Sequence, residues 1–393
     1  MRRKRSLASV WTLRALVVGV VLLPFGIRGA NFIGLPDPRL PPGYLAWRDQ
    51  TVADDANAAF LYRVAADAIG ERRVPLGIPG DWFQASAYDK ALLAETSRPM
   101  VLWREGTRLP NALPSRERKE LRPLSESETS LFVRLACLEG LRQENRTNFE
   151  EAFDWYVATL KFADHVQSRV GFNGRFRGDA VHQTAANFIK PWADQPNLST
   201  DTLRRALREV QEAHRPIGIP GSAVFAELER IEGLLDEPDS LDEALGLDAH
   251  NRQGERLDGW PARLSHLSRA FQSEPERSRR FVRLVAADWV EGLELRGRSS
   301  SVELIHRGSL TLFSKTGRVD ARALARRLDS TRYARIFLPN LSIYLTALDA
   351  GARNQADLEL HLAERLFRRE KGHPPESPEE LSEYRRIQAA NSP

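Results

Sequence analysis

The chain has 393 residues, of which 42% are apolar and 28% are charged, so it can bury a sizeable core and is not disordered throughout. Its pI is 9.3, but residues 1–36 hold six basic side chains and no acidic one, which leaves 51 basic and 53 acidic residues in the remainder. A body of that balance lacks the positive surface that phosphate backbones require, and we therefore expect no nucleic-acid partner. The single cysteine, Cys137, excludes an intramolecular disulfide and a cysteine-rich metal site.

The first 30 residues are predicted to be a cytoplasmic basic tail followed by a transmembrane signal anchor. Four basic residues precede an apolar run, Ser6–Ile27, in which Arg14 is the one charged side chain. That length can cross a bilayer, and the positive cluster is expected to stay in the cytoplasm. A cleaved signal peptide is the competing interpretation, although Arg28 disfavours cleavage after Ala30, and a buried soluble helix is the third.

Residues 31–50 are predicted to be a proline-rich linker. The segment "GLPDPRLPPG" (34–43) contains four prolines, a composition typical of a stiff and extended spacer. With the anchor before it, this linker would hold a folded body away from the membrane. The sequence therefore predicts a single-pass protein of the cytoplasmic membrane, with its C-terminal body on the extracytoplasmic or periplasmic side.

The body is predicted to be all-α, and its first helical lobe comprises residues 51–216. Apolar residues recur at helical spacing from Asp54 onward, and Ser125–Glu128 and Thr147–Glu150 each have the pattern of a capping box. The short connection "RQENR" between the two capped helices predicts an antiparallel helical hairpin. A further helix is predicted after a Ser199 or Thr200 cap.

The second predicted lobe comprises residues 217–393, because "PIGIPGSA" (216–223) is the clearest break in the chain. Residues 302–319 are the one segment that could pair as short strands, and a long helix is predicted to begin near Pro339. Gly372 is expected to end this helix in the left-handed conformation, and Ser377 to cap a short return helix. The chain is thus expected to end in a helix-turn-helix.

Two segments resemble known families. The segment "LAERLFRREKGHPPESPEEL" is similar to the "LYRxxHGxYPxSLxEL" pattern of major pseudopilins, which also recurs in uncharacterised, membrane-anchored bacterial proteins. The processing motif of pseudopilins is absent from residues 1–30. The resemblance therefore implies one of the uncharacterised, membrane-anchored proteins, and a pseudopilin-like secretion or fibre component is the less favoured alternative. Residues 125–170 resemble one tetratricopeptide (TPR) hairpin, with Gly140, Ala152 and Tyr156 at its small and aromatic positions. No second copy follows, so a TPR-like but non-regular bundle is implied.

The chemical motifs do not assemble into a predicted site. Glu303 and His306 have the Glu-x-x-His spacing that supplies two metal ligands from one helix face, but no second copy of this pattern occurs. Lys315–Gly317 matches one of the three elements of penicillin-binding enzymes without the other two. We therefore predict no catalytic, cofactor-binding or metal-binding residue.

Aromatic residues leave one alternative open. Trp82, Trp103, Trp192, Trp260 and Trp289 are spread along the body, and core packing is the default interpretation, with a peptide-binding groove as the alternative. The sequence therefore favours a membrane-tethered helical scaffold or protein-interaction module with a protein partner. An enzyme whose site is assembled from distant residues, with Glu303 and His306 as candidates, is the second hypothesis.

Overall fold

A computed structural model describes residues 35, 39–72, 75, 77–114, 118, 121–214, 221–236, 274–298, 303–314, 320–327 and 338–390. These residues are mostly helical, as the sequence predicts. The helices, numbered along the chain, are α1 (Tyr44–Arg48), α2 (Ala58–Ile69), α3 (Ala87–Glu95), α4 (Ser97–Gly106), α5 (Glu126–Asn145), α6 (Phe149–Gln167), α7 (Gly171–Ala193), α8 (Thr200–Ala213), α9 (Ser222–Asp236), α10 (Glu274–Arg298), α11 (Ala321–Arg327), α12 (Leu341–Lys371) and α13 (Pro378–Ala390). Two strands, β1 (Leu304–Arg307) and β2 (Leu310–Phe313), pair as an antiparallel hairpin within the predicted segment 302–319.

The predicted anchor, residues 1–30, lies outside the described residues. Within the described part of the chain, no helix has both the length and the apolar character needed to cross a bilayer. The end of the predicted linker differs from expectation, because α1 is a short helix and not extended chain. Its Tyr44 and Trp47 are buried and pack on Phe225 with ring centroids 5.7 Å apart in both pairs.

The chain divides into two compact units. The larger unit consists of Asp49–Ala223 and Ser342–Pro393, and the smaller unit consists of Met1–Arg48 and Val224–Leu341. The first boundary falls at the end of the predicted break at 216–223, but residues 342–393 group with the first lobe and not with the rest of 217–393. The reason is that Leu358, Leu362 and Leu366 of α12 are fully buried in a core shared with α6, α7 and α8.

Side-chain caps begin several helices in the larger unit. Ser125 and Glu128 form the predicted capping box at the start of α5. The second predicted box is wrong: Thr147 lies in the left-handed region with φ of 62°, and Asn148 is the N-cap of α6 without a side-chain cap bond. A tight turn thus joins α5 and α6, and the predicted hairpin is present.

The C-terminal turn follows the prediction. Gly372 has a φ of 77°, and the Glu380 backbone nitrogen donates to Ser377 Oγ at 3.2 Å as α13 begins. The α13 side chain of Tyr384 returns to α12, where its ring packs edge-on against Phe367 and its hydroxyl donates to Glu370 at 2.7 Å.

The smaller unit packs the β-hairpin on α10. Trp289 Nε1 donates to the Thr311 carbonyl at 2.7 Å, and the Phe313 backbone nitrogen donates to the buried Asp288 carboxylate at 2.8 Å. Gly292 permits the close approach, since a Cβ there would lie 1.9 Å from the Phe313 ring. The hairpin is therefore fixed by both polar and apolar contacts with one helix.

Candidate functional site

Glu303 and His306 do not form the metal-ligand pair that their spacing suggested. His306 lies on β1 and Glu303 directly precedes that strand, so they do not share a helix face. The Glu303 carboxylate accepts a hydrogen bond from Ser314 Oγ at 3.0 Å, and His306 Nδ1 lies 3.1 Å from Thr311 Oγ1. Both side chains thus have local partners in the hairpin. Across the described residues, no group of three or more His, Cys, Asp or Glu side chains has a metal-binding arrangement.

A groove in the larger unit is the strongest candidate for a functional site. It has a volume of about 700 Å³, within the range of ligand pockets. Its walls come from the loop before α3, the C-terminal end of α5, and α7 with the residues that follow it. The lining residues are Gly77, Ile78, Gly80, Asp81, Trp82, Phe83, Leu141, Glu144, Asn145, Thr184, Asn187, Phe188, Pro191 and Gln195.

Three aromatic side chains give the groove its apolar surface. Phe83 is 83% exposed, which is unusual for a side chain of that size. Trp82 beside it is half-buried, and Lys90 lies over its ring with Nζ 5.4 Å from the centroid. Phe188 of α7 stacks on the buried Tyr156 with 5.7 Å between ring centroids. The groove therefore presents aromatic faces from two separate parts of the fold.

The loop that carries Trp82 and Phe83 is held by a buried ion pair. Arg134 of α5 lies 2.6 Å from Asp89 of α3, and both side chains are at most 5% exposed. Arg134 also donates to the backbone carbonyls of Pro75 and Gly77 at the start of the loop. Burial opposes ionisation of Asp89, but hydrogen bonds from Ser86 and the contact with Arg134 outweigh it and lower the pKa of Asp89. The loop is thus anchored by Arg134, which contacts both the Asp89 carboxylate and the loop backbone.

Glu144 supplies a carboxyl group at the groove wall. Burial raises its pKa, while hydrogen bonds from Tyr156 and Gln195 act in the opposite direction without cancelling the effect. The Tyr156 hydroxyl donates to Glu144 Oε1 at 2.5 Å. Tyr156 reaches this position because Gly140 leaves room for its ring, since a Cβ at Gly140 would lie 2.2 Å from it. The close packing of Tyr156 on Gly140 therefore places the tyrosine hydroxyl against a groove residue.

Apart from Asp81, the remaining polar lining is made of neutral side chains. Asn145, Asn187 and Gln195 offer amide donors and acceptors, and Thr184 offers a hydroxyl. Asp81 is engaged locally, because its two carboxylate oxygens accept from the Gln84 backbone and side chain. No lysine or arginine lines the groove among the described residues. This chemistry suits an uncharged, hydrogen-bonding ligand with an apolar group.

The sequence indicated part of this site. Trp103, Trp192 and Trp289 are fully buried, as the default core interpretation predicts, whereas Trp82 lies on the groove. Trp260 lies outside the described residues. Phe83, Phe188 and the amide side chains were missed, although the aromatic pair Trp82–Phe83 directly after "GIPGD" is the signal of an aromatic-bearing loop.

Comparison with known protein families, with curated proteins and with solved structures finds no match to this chain. The resemblances to the pseudopilin pattern and to a tetratricopeptide hairpin therefore stay predictions.

Proposed function

We propose that this protein is a membrane-tethered helical interaction module that binds an extended segment of a partner protein in the aromatic groove. The observation that carries the proposal is the 83% exposure of Phe83 on a loop fixed by the buried Arg134–Asp89 pair. A large apolar side chain held in water by a rigid support is typical of a recognition surface. Burial of the Phe83 side chain by a partner would contribute favourable free energy to binding.

A peptide segment matches the remaining lining. The amides of Asn145, Asn187 and Gln195 can pair with the N–H and C=O groups of an extended backbone. Trp82, Phe83 and Phe188 can enclose one apolar side chain of that segment. Asp81 and Glu144 are the ionisable groups of the described lining, and Lys90 lies over the ring of Trp82, so groups of both charges border the groove. The proposed ligand is therefore an uncharged segment with an apolar anchor residue.

The membrane tether and the extracytoplasmic location belong to the same proposal. They are supported by the basic cluster and the apolar run Ser6–Ile27 in the sequence. Deleting residues 1–30 and fractionating cells tests the tether, and we expect the shortened protein to leave the membrane fraction. A reporter fused to the C-terminus tests the orientation. Activity of that reporter in the cytosol alone would contradict the extracytoplasmic location.

Site-specific photocrosslinking tests the groove. A benzophenone amino acid at position 83 is expected to trap a defined partner segment in cells, which mass spectrometry of the crosslinked peptide identifies. The matched control places the same amino acid at Val101, an exposed α4 residue that does not line the groove. Combining the position-83 probe with Phe188→Ala should remove the crosslink. Equal crosslinking from positions 83 and 101, or crosslinks to glycan and not to peptide, would overturn the proposed ligand.

A further inference from the structure

A second hollow, lined by arginines, lies in the smaller unit between the β-hairpin and α11. It has a volume of about 680 Å³, and its lining residues are Ile305, His306, Arg307, Arg322, Ala325 and Arg326. Three of these described lining residues are arginines, two are apolar, and none is a carboxylate. The groove in the larger unit has the opposite character, since its ionisable lining residues are acidic.

The fold brings these arginines together from two elements. Helix α11 packs on the hairpin through Ala321, Leu324 and Ala325, which are at most 4% exposed. Arg322 and Arg326 are four residues apart, so they lie one helical turn from each other on one side of α11, and both are exposed. On the other wall, Ile305 and Arg307 share a face of β1 because alternate strand residues point the same way.

Arg322 and Arg326 differ from other arginines of this unit in their electrostatic partners. Arg279 pairs with Asp236 and Glu276, and Arg283 pairs with Glu232 at 2.5 Å. Within the described part of the chain, no carboxylate pairs with Arg322 or Arg326. Like charges one turn apart repel each other, and a bound anion would offset that repulsion.

Among the described residues, the two carboxylates closest in sequence to the hollow have hydrogen-bond partners outside it. Glu303 accepts from Ser314 Oγ, and Asp320 accepts from the Ala323 backbone nitrogen at 3.0 Å as α11 begins. Neither lines the hollow. Among the described residues, neither carboxylate therefore forms an ion pair with Arg322 or Arg326.

We propose that this hollow binds the phosphate of an anionic lipid headgroup. Guanidinium groups bind phosphate oxygens in a bidentate manner, and a lipid phosphate near a basic hollow gains from every arginine that faces it. The inference rests on the proposed tether, because residues 28–43 reach at most ~55 Å when fully extended and would keep the smaller unit close to the bilayer. The headgroup layer is then the most concentrated source of phosphate that the hollow meets.

The experiment uses the full chain in lipid nanodiscs with an environment-sensitive fluorophore at position 309. Ser309→Cys places the fluorophore in the exposed hairpin turn beside the hollow, and the natural Cys137 is buried. We expect a blue-shifted, brighter emission in phosphatidylglycerol discs than in phosphatidylcholine discs. Arg322→Glu with Arg326→Glu should lower the lipid-contacting population on the order of tenfold or more. The control, Arg98→Glu with Arg353→Glu, makes the same charge change in the larger unit and should preserve the contact.

The outcomes separate this inference from the tether. A chain that elutes apart from discs of either lipid contradicts the tether, and the lipid site falls with it. Equal emission from the chain in both kinds of disc contradicts the lipid site alone. The same holds if the two charge-reversal pairs reduce the fluorescence signal equally. A response to inorganic phosphate in neutral discs without a response to phosphatidylglycerol identifies a free anion as the ligand and also overturns the proposal. Thermal unfolding of each variant confirms that folding is retained.

Discussion

At the scale of single residues, Asp164 of α6 makes the stability of the folded state depend on pH. Burial raises its pKa to about 7, Arg175 acts to lower it, and Asp179 raises it further. The unfolded chain releases this proton near the ordinary value of 3.8. Between about pH 4 and 7 the folded state therefore binds more protons than the unfolded state, and stability falls as the pH rises. Above pH 7 the loss is complete.

The variant Asp164→Asn tests this linkage, because an amide resembles the protonated carboxyl and does not titrate. We expect its free energy of unfolding, relative to the natural protein, to increase from pH 4 to pH 7 and then to level off. The full gain is on the order of a few kcal/mol. Urea unfolding at four pH values measures it. A difference that stays constant across the four pH values would contradict the assigned pKa.

Gly140 offers a second test at the residue scale. A Cβ at this position would lie 2.2 Å from the Tyr156 ring, so Gly140→Ala should destabilise the larger unit by about 1–3 kcal/mol despite the better helix propensity of alanine. Gly233→Ala in α9 is the matched control, since its Cβ meets no atom within 4 Å and stability should rise by up to about 1 kcal/mol. Thermal unfolding measures both variants. Equal behaviour of the two would show that Gly140 does not make this contact.

At the scale of elements, the Arg134–Asp89 pair connects α5, α3 and the groove loop. Arg134→Met leaves a buried carboxylate without its partner and should cost about 3–5 kcal/mol. Adding Asp89→Asn should recover part of this stability by removing the buried charge. It should not restore the loop, because the carbonyls of Pro75 and Gly77 still lack their donor.

The two effects are measured separately. Urea unfolding reports the stability of the single and double variants, and limited proteolysis within residues 77–84 reports the order of the loop. Asp81→Asn, a change on the same loop that leaves Arg134 in place, is the control for proteolysis. If the double variant protects the loop as well as the natural protein does, the carbonyl contacts of Arg134 do not hold it.

The sequence predicts secondary-structure elements better than the tertiary contacts between them, because caps and hydrophobic periodicity are set by residues close together in the chain. The capping box of Ser125 and Glu128 was recognisable since it spans one helical turn. The box predicted at Thr147 is wrong because the tight α5–α6 turn places that residue at positive φ. The strand pairing predicted within residues 302–319 is present, and it places Glu303 and His306 in a hairpin and not on one helix face. The groove depends on Arg134 reaching a carbonyl 57 residues away in the chain, a contact for which one sequence holds no local signal.

At the scale of the whole molecule, the larger unit is assembled from two separate parts of the chain. Helix α12 buries Leu358, Leu362 and Leu366 in its core, although residues 224–341 of the smaller unit come before it in sequence. Polar contacts add to this packing: Lys190 pairs with Asp357, and His214 Nδ1 lies 2.8 Å from Glu359 Oε1. We therefore expect the larger unit to need its C-terminal segment in order to fold.

Two deletions in the full chain test this requirement. Ending the chain after Leu341 removes the apolar face of α12, and we expect the larger unit to lose its cooperative thermal transition. Replacing residues 224–341 with a flexible glycine-serine linker of about 20 residues keeps both parts and should preserve the transition, because such a linker has an average reach of ~25 Å.

Circular dichroism and tryptophan fluorescence during heating distinguish the two proteins. Trp103, Trp155 and Trp192 report on the larger unit, since all three are buried in it. Adding a peptide of residues 338–390 to the shortened chain should restore part of the signal, because the α12 face can then bind in trans. A cooperative transition of the larger unit in the chain that ends at Leu341 would show that this unit folds without α12. The requirement for the C-terminal segment would then be wrong.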